Sequence, residues 1–206
     1  MLNKPYVLLF VAMFSAQTQA GVLSFEDVTA GNSSFLPINY AGFNWGEQAF
    51  GVIIDQHPSY SFQGTFGNSY GSPSGDYALY NSNGVNQGVR LNSIIDFNGA
   101  YFSSWANNND FGDYGATSIT INGYNSGILI DSKTMDLSAN QYDWFDVGFS
   151  GVDELEFVTS GVEKWWVMDD FTYSTSQVAE VPEPASLGVF LAGVFGLLLT
   201  RKKPKC

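Results

Sequence analysis

Residues 118–130 have the sequence SITINGYNSGILI. The first four positions alternate between polar and apolar side chains, which is the period of a β-strand with one buried face. A segment rich in Asn and Gly follows at 122–127, and the apolar run Ile128–Ile130 comes directly after it. The stretch therefore predicts a β-hairpin closed by a glycine-rich loop.

Alternation of the same kind recurs on both sides of this hairpin. Clusters of Gly, Asn and Ser separate the alternating runs, and the body lacks the sustained period of an amphipathic helix. Short strands at this spacing predict an all-β fold, an antiparallel β-sandwich or jelly roll whose first and last strands are adjacent. The other predicted strands are Val22–Val28, Phe50–Asp55, Tyr77–Tyr80, Val89–Phe97, Glu154–Phe157 and Lys164–Tyr173.

The composition suits one globular domain. The chain has 206 residues, and about 160 remain for a folded body once its two unusual ends are set aside. Hydrophobic residues make up 45% and aromatic residues 16%. This is enough apolar surface to bury a core and excludes wholesale disorder. We expect the folded domain at residues 21–176.

The body is strongly acidic. From Gly21 to Glu180 there are 19 Asp and Glu against three basic residues, Arg90, Lys133 and Lys164, which gives a net charge of −16 (3 − 19). A surface of this charge repels phosphate backbones, so the composition excludes nucleic acid as a partner. Acidity can serve solubility alone, and it can also collect divalent cations.

Residues 1–20 have the features of a secretory signal peptide. Lys4 supplies the positive charge, Tyr6–Phe14 is an unbroken apolar run, and Ala20 is a small residue of the kind that signal peptidase requires. The apolar run is too short for a membrane-spanning helix, which needs about 20 residues. The sequence predicts cleavage after Ala20.

A second apolar segment, Ala185–Thr200, lies near the C-terminus. As a helix it would span about 24 Å, slightly less than a hydrocarbon core of about 30 Å. The basic residues Arg201, Lys202 and Lys203 follow it directly. By the positive-inside rule this cluster stays in the cytoplasm and the acidic body lies outside. We predict one C-terminal transmembrane helix at 185–200.

The motif Pro182-Glu183-Pro184 stands just before this helix. The motif, the short apolar helix and the basic end follow one another in fixed order within residues 177–206, and this tail resembles the PEP-CTERM sorting signal. The resemblance implies processing by an exosortase-type membrane enzyme. The protein would be held in the membrane at first, and would then pass to the cell surface or the extracellular matrix.

The body carries a looser resemblance. The segments Phe25-Glu26-Asp27, Ile121–Tyr124 and Met168–Phe171 occur in the order found in the sandwich domains of PEP-CTERM proteins and, more loosely, in jelly-roll carbohydrate-binding modules. This likeness implies a non-catalytic domain that binds polysaccharide.

Four acidic residues form a candidate calcium site. If the first and last strands pair, Glu26 or Asp27 would meet Asp169 or Asp170, and converging carboxylates are ligands that Ca²⁺ prefers. In the jelly rolls that the chain resembles, such a site is structural. The alternative is that these acids lie on edge strands and face water. A second oxygen-rich segment, 107–113, lacks the closing Glu of an EF-hand, so a plain surface loop is the favoured interpretation.

Tryptophans are the natural platform for sugar rings, because an exposed aromatic face packs against their C–H groups. Trp45, Trp105 and Trp144 are the stacking candidates, and Trp45 and Trp105 have the polar or small neighbours of loop residues. The alternative is burial, which is the usual state of tryptophan in a small sandwich. Trp165 and Trp166 must point to opposite faces if their segment is a strand.

Catalysis has little support in the sequence. His57 is the only histidine and is followed by Pro58, and no assembled catalytic constellation can be recognised around it in the sequence. We predict a non-enzymatic envelope or matrix protein that binds polysaccharide or another surface component. One alternative is a purely structural matrix or adhesion protein without a small ligand. Another is a glycoside hydrolase, which would need two carboxylates about 5–9 Å apart.

Overall fold

The computed structural model describes residues 17–28, 33–54, 72–105, 115–139, 141–161 and 164–177. The chain divides into two compact units, one of Thr18–Ser176 and one of Met1–Gln17 with Gln177–Cys206. Apart from the two glutamines at its borders, the second unit lies outside the described residues, and so do the predicted signal peptide core and the sorting tail. Within the described ranges, no helix is long and apolar enough to cross a membrane.

The described body is all-β, as the sequence predicts. Two short 3-10 turns, Tyr40–Gly42 and Ser82–Gly84, connect strands, and every ladder whose register is seen is antiparallel. The strands are β1 (Gln17–Leu23), β2 (Ser33–Phe35), β3 (Phe43–Asn44), β4 (Phe50–Ile54), β5 (Tyr77–Asn81), β6 (Gln87–Ser104), β7 (Ser118–Asn125), β8 (Ile128–Asp136), β9 (Asp143–Ser160) and β10 (Trp166–Gln177).

Two strands of 18 residues, β6 and β9, connect the layers of the fold. The first part of β6 pairs with β3, and its later part pairs with β10. The last part of β9 pairs with β7, which in turn pairs with β8. Register shifts interrupt the β6–β9 ladder between Arg90 and Gly99, and bulges of this kind let a strand bend from one layer to the next. The result is one layer with the order β2-β4-β5-β10-β6-β9 and a second with the order β3-β6-β9-β7-β8, so that β6 and β9 take part in both.

A ring contact shows that the sheet folds over on itself. Phe50 in β4 and Phe157 in β9 have ring centroids 6.2 Å apart. Four strand steps separate β4 from β9 in the sheet order, which in a flat sheet would be about 19 Å. The two layers therefore face each other across a common core, which makes the body a β-sandwich.

Aromatic side chains fill that core. Phe97 and Phe171 stack with centroids 4.5 Å apart, and Trp166 packs 5.3 Å from Phe157. A smaller apolar cluster lies on the opposite side of the first layer, where Trp105 packs against Trp165. Trp166 is in the main core and Trp165 borders the smaller cluster. The prediction that these neighbours point to opposite faces is therefore confirmed.

The structure also confirms that the first and last strands are adjacent, because β1 pairs with β10. The first predicted strand was wrong in its extent, since β1 ends at Leu23. Phe25 adopts a positive φ of 63°, and Val28 N–H donates to its carbonyl, so the chain turns here. The hairpin loop is shorter than predicted, because β7 continues to Asn125 and only Ser126 and Gly127 form the turn. Both turn residues have positive φ, as a tight two-residue hairpin requires.

Candidate functional site

A groove of about 440 Å³ lies on the outer face of the second layer. On β9, Leu155 and Phe157 are buried while Glu154 and Glu156 point to the other side, because alternate residues of a strand face opposite ways. The two glutamates therefore line the groove. Its other lining residues come from the start of β6 with the residue before it and from the β7–β8 hairpin: Asn86, Gln87, Gly88, Tyr124 and Gly127.

Glu156 is held in place by two side chains of β7. Its Oε2 accepts hydrogen bonds from the Tyr124 hydroxyl at 2.9 Å and from Asn122 Nδ2 at 3.0 Å. Asn122 lies directly opposite Glu156 in the ladder, and Tyr124 reaches it across the diagonal. The Ser132 hydroxyl donates to Asn122 Oδ1 at 2.6 Å and so fixes the amide with its nitrogen towards Glu156.

This arrangement keeps acceptors available to a ligand. Among the described residues, both hydrogen bonds to Glu156 fall on Oε2, so Oε1 can accept from a ligand hydroxyl. Gly88 is opposite Glu156 on the β6 side and has no side chain to cover it. The hydrogen bond to Glu156 raises the pKa of Tyr124 above its ordinary value, and desolvation adds to the shift.

The second glutamate of the groove has a basic neighbour. Arg90 lies opposite Glu154 in the β6–β9 ladder, with Nε 3.8 Å from Glu154 Oε2. The arginine is largely exposed, so this ion pair contributes little to folding. The groove thus combines carboxylate and amide oxygens with the ring of Tyr124, and the guanidinium of Arg90 is paired with one of its carboxylates. It is suited to binding a polar ligand that carries many hydroxyl groups.

Two of the three predicted stacking tryptophans are buried, so those predictions were wrong. The Trp45 side chain is fully enclosed, its Nε1 donates to the Tyr40 carbonyl at 3.0 Å, and its ring packs 5.4 Å from Phe50. Trp105 is 5% exposed and packs against Tyr80 in the smaller apolar cluster. Neither residue offers a ring face to a ligand.

Trp144 is exposed, as a stacking residue must be. Its side chain is 41% exposed and meets Tyr101 edge to face at 5.2 Å. It lies near the start of β9, ten residues from Glu154, and does not line the groove. The structure therefore leaves Trp144 as a separate aromatic surface, and its role in binding stays a prediction.

Three of the four carboxylates of the predicted calcium site accept hydrogen bonds from the segment 74–77, and the fourth, Asp27, does not. Glu26 Oε1 accepts from the backbone N–H groups of Asp76 and Tyr77 at 3.0 and 2.8 Å. Asp27 Oδ1 instead accepts from the Tyr40 hydroxyl. Glu26 thereby fixes the start of β5, while Asp27 binds the loop before β3.

Asp169 and Asp170 both reach Ser74. Asp169 Oδ2 accepts from Ser74 N and Oγ at 2.9 and 3.1 Å, and Asp170 Oδ1 accepts from the same hydroxyl at 2.8 Å. Adjacent strand residues normally point to opposite faces, but Asp170 has a φ of 51° and lies at a register shift. Burial raises the pKa of Asp169 to about 7, although backbone N–H groups of Ser74 and Asp170 donate to it and lower the value in part.

Calcium binding remains a prediction. Across the described parts of the chain, no three His, Cys, Asp or Glu side chains are grouped so that they could hold a metal ion. The oxygen-rich loop at 107–113 and His57 lie outside the described residues.

The groove residues were visible in the sequence but were not recognised as a site. The alternation of Glu154 and Glu156 with two apolar residues predicts that both glutamates point outward. Tyr124 lies in the predicted hairpin at residues 118–130. Their meeting depends on the register between β7 and β9, which no local pattern in one sequence specifies. A run of outward acids facing an outward tyrosine in the neighbouring strand is the signal that could have identified it.

Comparison with known proteins gives fold likenesses only. No known protein family matches the chain, and no curated protein is significantly similar to it. A solved DUF4465 family protein from Bacteroides ovatus ATCC 8483 is similar at 10% identity and a TM-score of 0.46, over 78% of this chain and 99% of that one. TmCBM61, solved in complex with beta-1,4-galactotriose, is similar at 10% identity and a TM-score of 0.36, over 69% of this chain and 98% of that one. Likeness of this degree assigns neither ligand nor activity to the chain.

Proposed function

We propose that this chain is an exported protein of the cell envelope or extracellular matrix whose jelly-roll-like β-sandwich binds polysaccharide without cleaving it. The observation that carries the proposal is the hydrogen-bonded Glu156 carboxylate in the groove, with Tyr124 beside it. Sugar hydroxyls donate to carboxylate and amide oxygens, and the C–H faces of sugar rings pack on aromatic side chains. The groove offers both kinds of contact.

The placement of the two groove glutamates favours binding over hydrolysis. Glu154 and Glu156 are two residues apart on one strand and face the same way, so about 6.6 Å of strand separates them. A glycosidase needs its carboxylates on opposite sides of the scissile bond. These two would contact one side of a bound chain, and Glu154 is also paired with Arg90.

The proposed location in the cell envelope or matrix rests on the two ends of the chain. Signal peptidase would remove residues 1–20, the helix at 185–200 would hold the protein in the membrane, and an exosortase-type enzyme would process the Pro182-Glu183-Pro184 tail. Mass spectrometry of the protein recovered from membrane and culture fluid tests this. We expect an N-terminus at Gly21 in both fractions and loss of the C-terminal helix in the released form. An intact tail in the released form would contradict the sorting proposal.

Affinity electrophoresis of the full chain in gels containing polysaccharide tests the binding proposal. The panel should include exopolysaccharide from the producing cells and neutral polymers such as galactan and glucan. We expect retardation by at least one polymer, and Glu156→Gln should weaken it about tenfold, which is the loss of one charge-assisted hydrogen bond. Glu47→Gln, an exposed glutamate away from the groove, is the matched control and should bind normally.

Two outcomes would contradict the proposal. Migration unchanged by every polymer would favour a structural matrix or adhesion protein without a carbohydrate ligand. Release of reducing sugar during incubation, abolished by Glu156→Gln, would favour a glycoside hydrolase.

A further inference from the structure

The strand β8 forms an edge of the second layer. Within the described residues it pairs with β7 alone, so one row of its backbone N–H and C=O groups has no strand partner. All of its nine residues except Met135 are exposed. A long and exposed edge of this kind is a template for pairing with another strand.

The edge begins with an apolar run. Ile128, Leu129 and Ile130 are 69%, 51% and 49% exposed, although each is a large aliphatic side chain. Exposing three consecutive aliphatic side chains to water is unfavourable. In soluble proteins, an exposed apolar patch of this kind marks a surface that contacts a partner. The run is at the start of β8, directly after the hairpin turn.

The charges along β8 are complementary to a second copy of the same strand. Its middle residue, Ser132, lies between Asp131 and Lys133. These two charged residues lie opposite Gly123 and Ile121 in β7, so they share one face of the sheet. A lone lysine on an edge strand normally discourages pairing. If two copies of β8 pair antiparallel about Ser132, however, each Asp131 lies directly opposite the Lys133 of the other copy.

We propose that this protein self-associates by antiparallel pairing of β8 with β8 of a second copy, with the two Ser132 residues at the centre. The pairing satisfies the open backbone groups and makes two cross-strand charge pairs. It also brings Ile130, which is the extra residue at the register shift of the β7–β8 ladder, close to Thr134 of the other copy. This inference rests on the edge strand and not on the ligand of the groove.

The proposed contact has a consequence for binding. A two-fold axis through an antiparallel pair is perpendicular to the sheet, so the same face of both copies points the same way. The joined layer would run β3-β6-β9-β7-β8 in one copy and continue in reverse order in the other. Both grooves would then lie on one side of a continuous sheet, and two linked sites bind a repeating polymer more tightly than one.

Oxidative cross-linking of the full chain in membranes tests the register. All variants carry Cys206→Ser, which removes the only native cysteine. Ser132→Cys places two thiols opposite each other, with Cβ atoms about 5 Å apart, and should give a disulfide-linked dimer on a non-reducing gel. Thr134→Cys is the control, because its two copies would be about 13 Å apart. We expect at least about tenfold more dimer from Ser132→Cys, and equal yields would overturn the proposal.

Charge reversal gives an independent test that does not depend on cysteine. Lys133→Glu and Asp131→Lys each place like charges opposite one another and should weaken association about tenfold in sedimentation of the detergent-solubilised chain. The double variant Asp131→Lys/Lys133→Glu restores opposite charges and should restore association. A chain that is monomeric at all concentrations, or a double variant no better than either single one, would overturn the proposal.

Discussion

At the scale of single residues, burial decides which aromatic side chains can act on a ligand. Trp45 has polar and small neighbours in the sequence, which suggested a loop, and the structure does place it beside a turn. Gly46 has a φ of 80°, and its N–H donates to Asn44 Oδ1 at 3.0 Å. That turn directs the indole into the core. Local sequence predicts the turn, but the direction of the ring depends on Phe25 and Phe171, which are distant in the chain.

Truncation of Trp45 and of Trp144 should distinguish a core tryptophan from a surface tryptophan. Trp45→Ala removes a fully buried ring and should lower the free energy of unfolding by about 3–5 kcal/mol. Trp144→Ala removes an exposed ring and should change it by less than about 1 kcal/mol. Urea unfolding followed by circular dichroism measures both. A small effect at Trp45 would contradict its assignment to the core.

The buried carboxyl of Asp169 should make stability depend on pH. Its pKa is raised from 3.8 to about 7 in the folded chain, so between these values the folded state holds a proton that the unfolded state has released. The free energy of unfolding therefore falls as pH rises from 4 to 7 and levels off above it. Between pH 5 and pH 8, ionisation of Asp169 should lower the free energy of unfolding by about 2–3 kcal/mol.

Asp169→Asn should remove this dependence. The variant keeps a polar side chain beside Ser74 but cannot ionise, so its unfolding free energy should fall less than that of the native chain between pH 5 and pH 8. Urea unfolding in excess EGTA measures the difference without a contribution from bound cations. Identical pH dependence in the two proteins would show that Asp169 does not titrate in this range.

At the scale of elements, the sequence predicts which segments form strands better than where the strands end. The alternation around Phe97 and Phe157 identified parts of β6 and β9, but each strand is 18 residues long. Bulges shift the alternation within both strands, and a period-2 pattern cannot follow a strand across a bulge. The two-residue β3 has too few positions to show any period.

Gly99 should be required for the bend between the layers. A Cβ at this position would lie 2.1 Å from the Phe145 carbonyl oxygen in β9, so the strands could not approach as they do. Gly99→Ala should lower the unfolding free energy by about 2–4 kcal/mol in urea titrations. Gly127→Ala is the control, since it also has a positive φ but nothing within 4 Å. Gly127→Ala should lower the unfolding free energy by about 1–2 kcal/mol. An equal loss in Gly99→Ala would contradict the close approach of β6 and β9 at Gly99.

At the scale of the whole molecule, the acidic body limits which polymers can bind. The net charge from Gly21 to Glu180 is −16, and the groove lining includes two glutamates, of which Glu154 is paired with Arg90. Polymers rich in carboxylate or sulfate would be repelled, whereas neutral polymers would not.

Affinity for charged polymers should therefore depend on salt. We expect the full chain to bind a neutral polymer with little change between 50 and 500 mM NaCl, because no ionic contact is lost. An anionic polymer such as alginate should bind more weakly at the lower salt concentration. Tighter binding of alginate than of neutral polymers at low salt would contradict a role for the acidic groove.

In the proposed complex, the polysaccharide lies over Glu154 and Glu156. Carboxyl footprinting of the full chain, read by mass spectrometry with and without a saturating polysaccharide that the chain retains, tests it most directly. We expect labelling of both glutamates to fall several-fold when the polysaccharide is bound, while labelling of the exposed Glu47 stays constant. Unchanged labelling of Glu154 and Glu156 under saturation would contradict it, because the ligand would then be bound elsewhere.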